Sequence, residues 1–142
     1  HPKKFKPDGV TRDIALTIMR HMPGPVVKWK QYPMEVRNVL FQDFTRRHRF
    51  RGLRDQALAR RVWEATAAER FKQWLYIARE NAKSSSGMDD PRLWKDHCPT
   101  YLRRDIWHGL CDKWGTGEWQ HISSMASSNQ GKYPEANLHT AG

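Results

Sequence analysis

Cysteine is nearly absent from this chain. Cys98 and Cys111 are the only two in 142 residues, too few for a disulfide framework, and a reducing nuclear or cytosolic setting suits them. Long apolar runs are missing as well. Without a stretch of ~18 apolar residues or a signal peptide, the expectation is a chain that neither spans a membrane nor is secreted. Strand-forming stretches are scarce: only Pro25-Val26-Val27-Lys28-Trp29-Lys30 reads as β, and one short strand cannot build a sheet. There is no Gly-rich phosphate loop, no Ser/His/Asp signature and no metal motif. His97, His108 and His121 lie near the cysteines, but the spacing fits no standard zinc finger, and a partly buried thiol with surface histidines is the simpler reading. The expectation is therefore no catalytic residue, no metal and no cofactor.

Acidic residues are also in the minority. Lys and Arg number 25 against 15 Asp and Glu, a net charge of +10. The excess is unevenly placed. Residues 1–88 hold 19 Lys/Arg against 8 Asp/Glu, a net +11, and residues 89–142 hold 6 against 7, a net −1. Such asymmetry favours a polyanionic partner, most simply nucleic acid.

What is present is helical periodicity. A length of 142 residues suits one domain with its own core. Residues 1–10 are basic and contain two prolines and a glycine, and they read as a flexible arm. Ile14, Leu16, Ile18, Met19 and Met22 predict a helix capped by Thr11 and stopped at Pro23-Gly24-Pro25. Pro33 opens the next helix, whose buried stripe is Val36, Val39, Leu40 and Phe44 and which ends near Arg49. Gly52 precedes a long tract over 53–83, with Trp63, Ala67, Phe71, Trp74, Leu75, Ala78 and Ala82 in one register. Unbroken, it would span roughly 45 Å, which favours a kink near Thr66. Ser84-Ser85-Ser86-Gly87 is the expected hinge, within 84–90, and Asp89-Asp90-Pro91 opens a short turn to Trp94.

The region 99–128 is the richest in tryptophan. Leu102, Ile106, Leu110 and Trp114 recur every fourth residue, with Trp107 alongside. That is one buried helix face. Gly115-Thr116-Gly117 breaks the chain, and Thr116 is placed to cap a second helix carrying Trp119, Ile122, Met125 and Ala126 on one face. Residues 131–142 show no periodicity and read as a tail. The fold class expected is all-α: a compact bundle of five to six helices in a single domain over 11–130, with a Trp-rich, helix-turn-helix-like C-terminal pair.

The same region carries a family resemblance. Pro99, Trp107, Leu110-Cys111, Trp114, Trp119, Ser123-Ser124, Asn129 and His139-Thr140-Ala141-Gly142 follow one another in a pattern that resembles the plant transposase domain of the Ptta/En/Spm (CACTA) group. Trp29, Tyr32-Pro33, Val36-Arg37 and Phe44 resemble that family's opening block, so the likeness covers about residues 26–142. Gln130 departs from the pattern, which has a basic residue after the asparagine. The chain opens at His1 and stops at Gly142 inside the last motif. It reads as a piece of a longer protein, with His1-Pro2 a cloning remnant. The resemblance implies the accessory part that binds terminal repeats, separate from the strand-cutting protein. Strand cutting would need carboxylates presented on a sheet to hold two metals, and this sequence predicts no such sheet.

The densest candidate site is Arg46, Arg47, Arg49, Arg51 and Arg54, followed by Arg60 and Arg61. Between Phe44 and Arg61, seven arginines meet one acid, Asp55. Guanidinium groups grip phosphate bidentately and read guanine edges. The plainer reading is a solvated basic face. Lys28 and Lys30 join Lys3, Lys4, Lys6 and Arg12 in a second basic set, suited to phosphates or a minor groove, or simply to solubility. A third candidate is the outer face of the helix after Thr116, with Gln120, Ser124, Asn129, Gln130 and Lys132. Its amides and hydroxyls could read base edges, or it could be a plain packing helix. The tryptophans fit a core better than a base-stacking platform, since they share a register with aliphatics.

Two functional expectations follow. The first is a nuclear, non-catalytic, double-stranded-DNA-binding domain of a transposon-encoded or transposon-derived protein. The second is a protein-interaction module in which the long aromatic-striped helix pairs with a copy of itself, making a homodimer.

Overall fold

The computed structural model describes residues 8–48 and 56–119. The fold is all-α, with no strand among the described residues. The helices are α1 (Asp8–Arg20), α2 (Met34–Arg47), α3 (Gln56–Ser86) and α4 (Arg104–Trp114), with 3₁₀ turns at Trp29–Gln31 and Pro91–Leu93. The chain forms two compact units that divide inside α3, between Phe71 and Lys72. Ser84, Ser85 and Ser86 are the last turn of α3, and the chain turns at Gly87, where φ is +71°.

In the first unit α1 buries Ile14, Ala15, Ile18, Met19 and Met22. It begins three residues before Thr11, which is therefore inside the helix and does not cap it. Residues 8–10 likewise belong to α1 and not to an arm. A glycine in a helix costs roughly 1 kcal/mol, and Gly9 does not prevent the earlier start. The rest of the predicted arm lies outside the described residues.

The predicted strand over 25–30 is instead a turn. Its backbone donors find local acceptors: Val26 N–H donates to Gly24 O at 2.7 Å, and Gln31 Oε1 accepts from Val27 N at 2.9 Å and Lys28 N at 3.3 Å. Donors used this way are withdrawn from any strand partner. The turn buries Trp29 and Tyr32. The Trp29 ring meets Tyr32, Trp63 and Phe71 at centroid distances of 4.5, 5.8 and 6.2 Å. Tyr32 stands at 90° to Phe71 and donates its hydroxyl to Ile18 O at 2.5 Å.

Helix α2 follows Pro33 and ends at Arg47. Its buried stripe is Leu40, Phe41 and Phe44, whereas Val39 is 61% exposed. Phe41 takes the place predicted for Val39 because its ring meets Trp63 edge-on at 5.6 Å. An aromatic contact of that kind outweighs the burial of one more valine. From α3 this unit takes Ala59, Val62, Trp63, Ala67 and Phe71, all buried.

In the second unit α3 supplies Leu75, Ala78 and Ala82, and α4 supplies Ile106, Trp107, Leu110, Cys111 and Trp114. Trp107 donates its indole N–H to Trp94 O at 2.8 Å, and Trp94 donates to Met88 O at 2.8 Å. Two large rings are thus buried with their polar atoms satisfied. Trp74 is half-buried and lies 5.0 Å from the Tyr101 ring. Pro91 starts its turn, and Asp90 caps it by accepting from Arg92 N at 3.0 Å. Helix α3 runs through Thr66 without interruption. After α4, Thr116 Oγ1 accepts from Trp119 N at 3.1 Å, the N-cap contact expected there.

Candidate nucleic-acid interface

The arginine run begins on the last turn of α2. Arg46 projects into solvent, with 76% of its side chain exposed and one loose contact to Asp43 at 3.4 Å. Arg47 is engaged on three sides. Its Nη1 meets Asp13 of α1, its Nε donates to Asp43 Oδ2 at 2.9 Å, and its Nη2 donates to Thr17 Oγ1 at 3.2 Å. His48 Nε2 donates to the same Asp13 Oδ2 at 2.7 Å, with its ring 4.8 Å from Phe44. Burial alone would raise the Asp13 carboxyl, but the hydrogen bonds and charges of His48 and Arg47 hold it below its ordinary value. Burial would lower Arg47, yet the Asp13 and Asp43 contacts raise it.

Arg60 is also committed. Its Nη2 lies 3.1 Å from Glu64 Oε1, one helical turn on, and its guanidinium sits 5.3 Å from the Phe41 centroid and 5.7 Å from Trp63. Glu64 is the hub of this corner. Its Oε2 accepts the Trp29 indole N–H at 2.8 Å and faces Arg37 Nη1 at 3.4 Å. Arg37 in turn donates to Tyr32 O at 3.2 Å and lies 5.9 Å from the Trp29 centroid. None of Asp13, Asp43, Glu64 or Arg37 was a sequence candidate. The spacings of Asp43 with Arg47 and of Arg60 with Glu64 are helical i,i+4 pairs that could have been read, whereas the Asp13 contact is 34 residues away from Arg47.

Besides Arg47, the exposed Lys and Arg among the described residues of the first unit are Arg46 and Arg61, together with Lys28 and Lys30 on either side of buried Trp29, and Arg12 and Arg20 of α1. Apart from Arg46, none of these makes an ion pair with a described residue. Arg49, Arg51, Arg54, Gln120, Ser124, Asn129, Gln130 and Lys132 lie outside the described residues.

The tryptophans are mostly interior: Trp29, Trp63, Trp94, Trp107 and Trp114 are buried. Arg79 packs over two rings, 5.1 Å from Trp114 and 5.6 Å from Trp119, and burial lowers its pKa to about 10. Cys111 is fully buried, and burial, with Asp112 nearby, pushes its thiol up to about 12. Among the described residues no group of three or more His, Cys, Asp or Glu is placed to hold a metal. None of the described helices is long and apolar enough to cross a membrane. Comparisons with family models, with curated proteins and with solved structures give no match.

Proposed function

We propose that this chain is a non-catalytic, nuclear DNA-binding segment of a transposon-encoded or transposon-derived protein, and that its first unit carries the duplex-binding surface. One observation carries this reading. Residues 1–71 hold sixteen Lys/Arg against seven Asp/Glu, a net +9 of the chain's +10. Three of those seven acids, Asp13, Asp43 and Glu64, are engaged by Arg37, Arg47 and Arg60. The surplus is presented by Arg12, Arg20, Lys28, Lys30, Arg46 and Arg61, on the outside of α1, α2, α3 and the Trp29 turn. Phosphate contacts of this kind bind without regard to sequence and weaken steeply with salt.

Fluorescence anisotropy of a random-sequence duplex, titrated with the protein at low and near-physiological salt, tests it. Binding should weaken with a log–log salt slope of roughly −0.9 per phosphate neutralised. Replacing Arg46, Arg61, Lys28 and Lys30 together by alanine should flatten that slope. No binding at low salt would remove the reading. The dimerisation alternative drew on the α3 stripe, but Trp63, Ala67, Phe71, Leu75, Ala78 and Ala82 of that stripe are buried within the monomer.

A further inference from the structure

At the corner between α1 and the end of α2, one carboxylate oxygen is gripped as a phosphate oxygen would be. Asp13 Oδ2 accepts from both Arg47 Nη1 and His48 Nε2, the latter at 2.7 Å. Thr17 Oγ1 stands 3.2 Å from Arg47 Nη2, and its hydroxyl can donate to an anion in the same place. Guanidinium and imidazole converge on this one oxygen, with the Thr17 hydroxyl beside the guanidinium, and all three are groups that proteins use to hold phosphate. The corner is open to solvent: the side chains of Asp13, Arg47 and His48 are 30%, 36% and 26% exposed. Asp13 and Asp43 offset the charges of Arg46 and Arg47, so an incoming anion meets little attraction from these arginines until Asp13 gives way.

We propose that Thr17, Arg47 and His48 form a phosphate-binding site whose resident occupant is the Asp13 carboxylate, an internal competitor that phosphate must displace. The carbonyl end of α2 opposes an anion here, but one helix end is a weaker effect than two charge-assisted hydrogen bonds. Asp43 remains on Arg47 Nε in either state and holds the guanidinium in orientation. The site goes beyond the DNA reading, because a phosphate group from any source would satisfy it.

The variant is Asp13→Asn, which keeps the shape and an acceptor oxygen while removing the charge. The probe is inorganic phosphate, against chloride at matched ionic strength, followed by the backbone amide resonances of Thr17, Arg47 and His48. Phosphate should bind D13N at least fivefold more tightly than wild type, and Arg47→Ala in the D13N background should abolish the gain. Should D13N be too unstable to study in chloride, added phosphate should restore its folding, since a ligand that binds only the native state stabilises it. A purely structural staple predicts the reverse: a destabilised variant that phosphate neither binds better nor rescues, and that result overturns the proposal. A duplex arm separates the sources. D13N binding duplex more tightly, with a salt slope steeper by about one, makes a backbone phosphodiester the natural occupant. Phosphate gain without any duplex binding by either protein leaves this site standing and removes the DNA reading. Duplex binding by wild type with no phosphate gain in folded D13N does the opposite.

Discussion

Glu64 should be among the most sensitive surface-accessible positions of the first unit, although its local sequence marks only the i,i+4 pair with Arg60. Its side chain is 25% exposed and takes donors from three residues: Trp29 Nε1 at 2.8 Å, Arg60 Nη2 at 3.1 Å and Nε at 3.3 Å, and Arg37 Nη1 at 3.4 Å. The indole contact is a charge-assisted hydrogen bond, worth roughly 1.5–3 kcal/mol net. The two guanidinium contacts are partly solvated and contribute about 0.2–1 kcal/mol each. These terms share one carboxylate and do not simply add, so Glu64→Ala should cost about 3 kcal/mol. That is a large share of a stability of ~5–15 kcal/mol. Glu64→Gln keeps an acceptor for the indole but loses the charge, and should cost about 1 kcal/mol.

The assay is urea unfolding followed by far-ultraviolet circular dichroism, with tryptophan fluorescence as a second probe. A double-mutant cycle of Trp29→Phe with Glu64→Gln should show a coupling energy of about 1 kcal/mol, the signature of a direct contact. Two results would refute the reasoning. If E64A lies within about 0.5 kcal/mol of wild type, the hub is a solvated ornament, as many exposed ion pairs are. If E64Q is as damaging as E64A, charge alone matters and the indole hydrogen bond contributes nothing.

Three further outcomes are expected. Trp107→Ala removes a ring that is 0% exposed and one of the two donors to Trp94 O, the other being His97 N at 2.9 Å; it should cost about 3–5 kcal/mol, measured by the same urea titration. Gly87 has φ of +71°, so Gly87→Ala should destabilise by about 1 kcal/mol and Gly87→Asn by less, since asparagine tolerates that conformation. The folded-state pKa of Asp13 is depressed, so its contribution is present above the unfolded value of about 3.9 and is lost as pH falls through the folded value. In chloride buffer, the stability gap between wild type and D13N should therefore be largest near neutral pH and close in acid; a gap that persists at low pH would mean that the carboxylate charge is not its source.

The buried face of α4 was readable because Leu102, Ile106, Leu110 and Trp114 repeat at one spacing, and all four are buried. The cap at Thr116 was readable for a similar reason: its chemistry is local, and it bonds Trp119 three residues on. Errors arose where a distant partner decides. Val39 and Phe41 are equally good flanks for the stripe through Leu40 and Phe44, and only the Trp63 ring selects between them. The valines at 26 and 27 have strand propensity, but Gln31 and the rings around Trp29 hold that segment as a turn. Propensity was overruled by packing and by a side chain that satisfied the backbone.

The arginine run shows why charge counted along a chain differs from charge offered to a partner. Arginine is the cation most easily put to structural use, since its flat, weakly hydrated guanidinium can stack on rings and fork onto carboxylates. Arg37 rests on Trp29, Arg60 rests on Phe41 and Trp63, and Arg47 bridges Asp13 and Asp43. Lysine is a strongly hydrated point charge with less to gain from such contacts, and Lys28 and Lys30 remain exposed on either side of a buried tryptophan. The residues that look most like a phosphate grip in the sequence are therefore partly consumed in building the fold. Lys28, Lys30, Arg12 and Arg20, which attract less notice in the sequence, supply charge that no described carboxylate neutralises. On the proposed reading, these cations are open to a duplex phosphate as they stand, with Arg61 and the loosely held Arg46, whereas Arg47 and Arg60 are held by carboxylates. If the first unit binds a duplex as proposed, Arg47 would join only once Asp13 had been displaced, and the strength of that binding would then depend on an aspartate on a different helix.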